Sequence, residues 1–416
     1  MMRIAVVGSG ISGMAAAYYL SRKHEVFVFE REPRLGGHTH TVTVESSRGS
    51  LAVDTGFIVH NDRTYPNLVR LLAELGVETQ ASDMSFAVAC QRTGLEYSSR
   101  GLSGFFAQRS NIFRLAQYRL FREILRFNRE APKVLEDPAA ATLTLGDLVD
   151  RGRYPALFTE RYLYPMACAV WSMSTEAIRS FPALTLVRFF SNHGMLGVST
   201  HPKWKVIRGG SQAYIAPLTS PYKERVFTAV NIQSVARDET GVTMRFQNRP
   251  PMSFDQVVFA CHGNQILPLL ASPSDAEREI LGCFSTSRNE VCLHTDSSLL
   301  PRRPQARASW NYHLSPDPGA AATLTYHMNR LQSLDVREDY CVTLNASGSI
   351  DPSKVLRRMV YYHPLYTSEA VQAQGRWSEI SGRNRTHFCG AYWGYGFHED
   401  GLNSALRVAR ALGVDC

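Results

Sequence analysis

The chain has 416 residues, 44% hydrophobic and 20% charged, a balance that excludes a disordered or fibrous protein and allows two domains of ordinary size. Its formal charge of +8 is carried almost wholly by arginine, since only six lysines occur. No nucleic-acid reader motif accompanies that charge, so nucleic acid is not an expected partner, whereas phospholipid headgroups or acyl carriers suit a basic surface.

The strand pattern Arg3-Ile-Ala-Val-Val7 arrives before any basic leader and apolar stretch, so secretion is not expected. No apolar run reaches the roughly 18 residues of a membrane span. The expected location is therefore the cytoplasm, with peripheral contact at the inner membrane surface. Eight cysteines without a C-x-x-C pair point neither to zinc nor to a thioredoxin-like motif, and no metal is expected.

After the first strand comes Gly8-Ser-Gly10-Ile-Ser12-Gly13, then a helical stretch over 14–22, then Glu25-Val-Phe-Val-Phe-Glu30. This is the strand, turn, helix and strand of a Rossmann βαβ unit. Gly8 permits the tight turn, Gly10 lets the backbone approach a pyrophosphate, and Gly13 allows close packing of helix on sheet. Glu30, seventeen positions after Gly13, is placed to accept hydrogen bonds from a ribose. Next comes Arg31-Glu-Pro-Arg-Leu-Gly36-Gly37-His38-Thr39-His40, followed by a strand pair ending at Asp54-Thr-Gly56-Phe57. His38 and His40 also read as an H-x-H metal pair, but no further ligand lies nearby in sequence.

Farther along, Gly94-to-Pro132 mixes Phe105, Phe106, Phe113, Tyr118, Phe121 and Phe127 with Arg109, Arg114, Arg119, Arg122, Arg126 and Arg129. Such a segment is either a core-facing helix with solvated arginines or a basic amphipathic helix on a membrane surface or over a lipophilic tunnel. The stretch from Val226 through Val230 to Val235, followed by Phe254-Asp-Gln-Val-Val-Phe-Ala-Cys261, reads as a returning hairpin and closing strand. The stretch Phe388-Cys-Gly390 to His398-Glu399-Asp400-Gly401-Leu402 leads into a helix over 403–412.

Together the glycine turn, the glutamate followed by R-x-x-x-x-G-G, the Val230 segment and the C-terminal motif resemble the flavin-containing amine oxidase superfamily. The fold this implies is α/β plus α+β: a Rossmann-type FAD-binding domain in three pieces (1–75, 205–265, 380–416) interleaved with a substrate domain in two, helical over 76–204 and sheet over 266–379. The resemblance implies non-covalent FAD held by Gly8, Gly10, Ser12, Gly13, Glu30, Arg31, Gly36, Gly37, His38, Thr39, Gly56, Phe57, Val230, Gly390, Asp400, Gly401 and Leu402. An arginine is usual where His38 stands. It implies hydride removal from a C–H bond to flavin N5.

The narrower match, through Trp204-Lys-Val-Ile-Arg-Gly209-Gly210-Ser211, Trp310-Asn-Tyr and Thr325-to-Gln332, is to bacterial FAD proteins similar to the N-terminal part of plant cyclopropane fatty-acid synthases. Amine oxidases proper carry a flavin-side lysine and an aromatic cage. Here no lysine lies between Lys223 and Lys354, and His398 replaces a cage tyrosine. The expected substrate is accordingly a lipophilic acyl chain, with His398 and Glu399 as candidate bases and Asn192 and His193 as pocket groups. Competing readings are a flavin amine oxidase, a flavin-binding partner of a lipid methyltransferase, and an NAD-only dehydrogenase.

Overall fold

The computed structural model describes residues 1–90, 93–197, 202–314 and 323–416. Strands β1 (Arg3–Val7), β2 (Glu25–Phe29), β3 (Val226–Phe227), β4 (Gln256–Phe259) and β5 (Thr386–Phe388) form one sheet in the order β3-β2-β1-β4-β5. Every pairing is parallel. Its central strands are continuous apolar runs because helices and a small antiparallel sheet cover both faces. That smaller sheet is the meander Ile232–Arg237, Val242–Phe246, Met252–Phe254.

Four helices matter for the site: α1 (Ile11–Leu20), α2 (Pro66–Glu74), α3 (Leu115–Glu130) and α4 (His398–Ala411). Helix α1 begins three residues earlier than the sequence pattern predicts, at Ile11, and α4 five residues earlier than 403. In α4 the early start has a local cause. Asp400 Oδ2 accepts the Phe397 N–H at 3.0 Å, and two acids occupy the positive end of the helix.

A second, seven-stranded sheet runs Val355–Leu365, Ser285–His294, Cys341–Leu344, Thr323–His327, Trp310–His313, Phe86–Cys90, Leu95–Ser98. The segment 76–204, expected to be helical, thus supplies two strands to this sheet, Phe86–Cys90 pairing in parallel with Trp310–His313. Its helices pack over this sheet in a core that includes Phe127, Phe158, Trp171 and Phe189. A three-stranded antiparallel sheet of Val59–Asn61, Trp204–Ile207 and Thr79–Ala81 crosses the expected boundaries at 75/76 and 204/205.

Asp54 joins the two halves. It is fully buried at the end of strand Gly49–Asp54. Its carboxylate accepts hydrogen bonds from the Thr41 hydroxyl at 2.6 Å, the Ser211 N–H and hydroxyl at 2.8 Å, and the Gln332 amide at 3.1 Å. Gln332 Oε1 accepts the Asp54 N–H in return at 2.9 Å. Burial pushes the acid up to about 6 despite the hydrogen bonds from Thr41 and Ser211, which lower it.

Replacing Asp54 by alanine should destabilise the chain by about 2–3 kcal/mol, because four buried donors lose their acceptor. The folded chain also holds the Asp54 proton more tightly than the unfolded one. The associated stabilisation is complete below about pH 4 and is lost as pH rises through about 6. Melting curves between pH 4 and 7 should therefore show wild type losing ground to Asp54→Asn as pH rises, and a gap independent of pH would count against the assignment.

Candidate active site

A cavity of about 1000 Å³ runs from the end of the parallel sheet into the substrate half. The turn between β1 and α1 forms its first wall. Gly8 has φ of +104°, and a Cβ there would lie 3.0 Å from the Ala260 carbonyl. At Gly13, inside the first turn of α1, a Cβ would come within 1.9 Å of the Gly8 oxygen, so only glycine lets helix and turn meet. Gly10 differs, since a Cβ there meets no protein atom within 4 Å, and the residue borders the cavity.

Glu30 follows β2 at the same end. Its carboxylate is locked by the Ser9 N–H at 2.8 Å, the Ser9 hydroxyl at 2.6 Å and the Glu32 N–H at 2.8 Å. Three of about four lone-pair sites are occupied, leaving one for a ligand hydroxyl. Val230, whose N–H bonds the Glu30 carbonyl at 2.9 Å, lines the cavity beside it. Arg31, Gly36, Gly37, His38, Gly56, Phe57, Ser12, Gly390 and His398 line it too.

His38 faces inward among His262, His363 and Tyr361, with ring centroids 5.2 to 5.9 Å away. Burial first, then His363 and His262, hold it well below the ordinary imidazole value, so it is neutral. Its Nε2 is buried without a partner. His40 does not line the cavity, and its Nδ1 bonds the hydroxyl of the same Tyr361 at 2.7 Å. Among the described residues no group of three or more His, Cys, Asp or Glu could hold a metal.

His398 stacks on Phe57 with centroids 3.5 Å apart and hydrogen-bonds Thr39 at 3.0 Å and Tyr214 at 3.3 Å. Burial, with a contribution from His60, pushes it down to about 3. Such an imidazole is neutral at neutral pH and a weak base there, and its ring is held in place by Thr39 and Tyr214.

Glu399 is also corrected. It does not line the cavity, and its carboxylate accepts the N–H groups of Asn67 and Leu68 at 3.0 and 2.9 Å, capping α2. Thr39, Asp400, Gly401, Leu402 and Gly13 likewise lie behind the wall. Asp400 caps α4, Leu402 is core, and glycine at 401 lets α4 approach α1, since a Cβ would sit 2.8 Å from Ser12 Oγ. Asn192 is exposed, whereas His193 lines the cavity, stacked on Phe189 at 3.8 Å and bonded to that residue's carbonyl.

The family model described as flavin containing amine oxidoreductase matches residues 11–343. The chain belongs to that family. An amine oxidase [flavin-containing] A from Canis lupus familiaris is 32% identical over 158 residues, covering 36% of this chain and 29% of the relative. The match thus spans about three-tenths of the length of that curated relative. Wild-type putrescine oxidase bound to putrescine superposes with a TM-score of 0.71 at 15% identity, over 99% of this chain and 98% of that one. A CLA-producing fatty acid isomerase from P. acnes gives 0.71 at 15% identity over 98% of each chain. At such identities the likeness is one of fold.

The family's cofactor is FAD, and the residues present fit it. The open space at Gly10, the free lone pair of Glu30 and the orphaned Nε2 of His38 are the features a bound dinucleotide would complete. Sequence reasoning missed Ser9, which orients Glu30, and Tyr214, which hydrogen-bonds both Thr39 and His398. Ser9 was legible in principle as a hydroxyl inside the glycine turn; Tyr214 lies 184 positions from His398 and carried no local signal.

His38→Ala should weaken FAD binding to the apoprotein about five- to tenfold, read by flavin fluorescence titration, with the apoprotein melting temperature unchanged. Glu399→Ala should do the reverse, costing about 1–2 kcal/mol in thermal stability through the uncapped α2 while leaving flavin affinity within twofold.

Proposed function

We propose that this protein is an FAD-dependent oxidoreductase that removes a hydride from a C–H bond of a lipophilic acyl substrate. The supporting observation is the chemistry of the cavity wall. Its charged residues, Arg31, Arg34, Glu30 and Glu32, cluster around the dinucleotide end. Beyond them the lining includes Phe105, Ile124, Tyr162, Met166, Val170 and Trp171, with no lysine and no acid among the described residues. A charged ammonium group would find no counter-ion there, whereas an acyl chain exchanges water for apolar surface at about 25 cal/mol per Å².

Bound FAD supplies the hydride acceptor. The chain's own residues exclude water along the aromatic wall and fix the stacked pair Phe57 and His398 at the cavity edge. Thr39 and Tyr214 hold the His398 ring in place and its neutral state adds no charge to the dry wall. Helix α4 begins at that edge with His398 as its first residue and its first turn capped by Asp400. Non-covalent attachment fits the burial of Cys389, which is 0% exposed and does not line the cavity.

Oxidation of an amine is the second reading, favoured by the names of the family and of its relatives. Anaerobic mixing decides between them. Purified yellow protein should lose its oxidised flavin absorbance with fatty-acyl lipids and keep it with mono- and polyamines, and the opposite pattern would overturn the acyl assignment.

A further inference from the structure

Eleven large apolar side chains among the described residues are exposed, and seven lie between residues 102 and 125. These are Leu102 (70% exposed), Ile112, Phe113 (88%), Leu115 (74%), Tyr118, Phe121 and Leu125. The helix that carries most of them is inverted. Helix α3 buries Gln117 and Glu123 alongside Leu120 and Phe127, while Leu115, Tyr118, Phe121 and Leu125 face solvent. With 3.6 residues per turn, 118, 121, 122, 125 and 129 share that outward face.

Cations border these apolar groups. Arg109, Arg114, Arg119, Arg122, Arg129 and Lys133 are all exposed. Neither Arg109, Arg114, Arg119 nor Lys133 makes an ion pair among the described residues, and Arg122 and Arg129 meet only neighbouring glutamates. From 109 to 133 there are seven basic residues and two acidic ones, a net +5 of the chain's +8. The patch is also continuous with the active cavity, because Leu102 and Phe121 are exposed and line it at once.

We propose that residues 102–129 form a docking surface for an anionic lipid bilayer, with the cavity opening onto the membrane between Leu102 and Phe121. Phe113 and Leu115 would enter the boundary between headgroups and acyl chains while the arginines meet lipid phosphates. Sign and arrangement favour this occupant over a second copy of the chain, because two such faces would bring their unpaired arginines together. Docking stands whether or not an acyl chain is the group oxidised, so it is tested without turnover.

Holoprotein should co-sediment with vesicles of 30% phosphatidylglycerol in phosphatidylcholine and bind pure phosphatidylcholine at least tenfold more weakly. The double variant Phe113→Asp/Leu115→Asp, which touches neither flavin nor cavity wall, should lose at least tenfold in partitioning while keeping its flavin content and melting temperature. Arg114→Gln and Arg119→Gln should each lower binding to the anionic vesicles by about fivefold, more at low salt than at high. If the variants destabilise the fold, depth-dependent quenching of Trp or bimane fluorescence at residue 113 of otherwise wild-type protein, by brominated lipid, reads the insertion directly. Absence of vesicle binding by wild type, equal binding to neutral vesicles, or a wild-type dimer that the Asp variant converts to monomer without any vesicle binding would overturn the proposal.

Discussion

A single buried carboxylate holds the dinucleotide half and the substrate half in register. Asp54 has no exposed surface and gathers donors from residues 41, 211 and 332, three segments that come together only in the folded chain. Burying an ionisable acid is costly, and the cost is offset because nearly every lone pair finds a donor. The geometry of segment 36–41, whose Gly36, Gly37 and His38 line the cavity, depends on it, since Thr41, one of its donors, also accepts the Gln212 N–H at 3.0 Å. Gly210 lies against the same group, where a Cβ would meet Thr41 Cγ2 at 2.5 Å.

From that fixed frame the cavity acquires a gradient of polarity. Its charges lie where phosphates and ribose are expected, and the histidines farther along are stripped of charge by burial. His38, His262, His363, His193 and His398 are all held below the ordinary imidazole range. Thus five titratable rings contribute shape and hydrogen bonding rather than charge at neutral pH. A wall of this kind suits hydride transfer, which gains from the exclusion of water.

How much of this was legible in the sequence depended on distance along the chain. The Gly8-to-Glu30 unit could be read because turn, helix and acid lie within one βαβ span, and its glycines sit where close approach demands them. The helix starts were misplaced for a related reason. Both Gly13 and Gly401 lie inside helices, Gly13 kept small by the oxygen of Gly8 in the preceding turn and Gly401 by Ser12 of α1, which only folding brings near. Glu399 shows the same limit in its role. An acid beside a flavin motif reads as chemistry, but α2 starts at Pro66 after Tyr65, which gives no side-chain cap, and its free N–H groups reach across the fold to Glu399. The missing cap was the available signal. The inverted face of α3 was partly legible as aromatics mixed with arginines, but which side faced inward followed from the buried Glu123, held by Arg126 at 2.9 Å.

The order of strands in the parallel sheet carries a consequence for biogenesis. β1 and β2 are made well before their neighbours at residues 226–227 and 256–259, and the outer strand and the helix that packs on α1 come later still, from residues 386–411. At roughly 5–20 residues per second, the glycine turn leaves the ribosome about 20–75 seconds before its final partners. During that interval the apolar strands β1 and β2 lack a finished sheet, so the dinucleotide-binding face is completed only once residues 386–411 have been made.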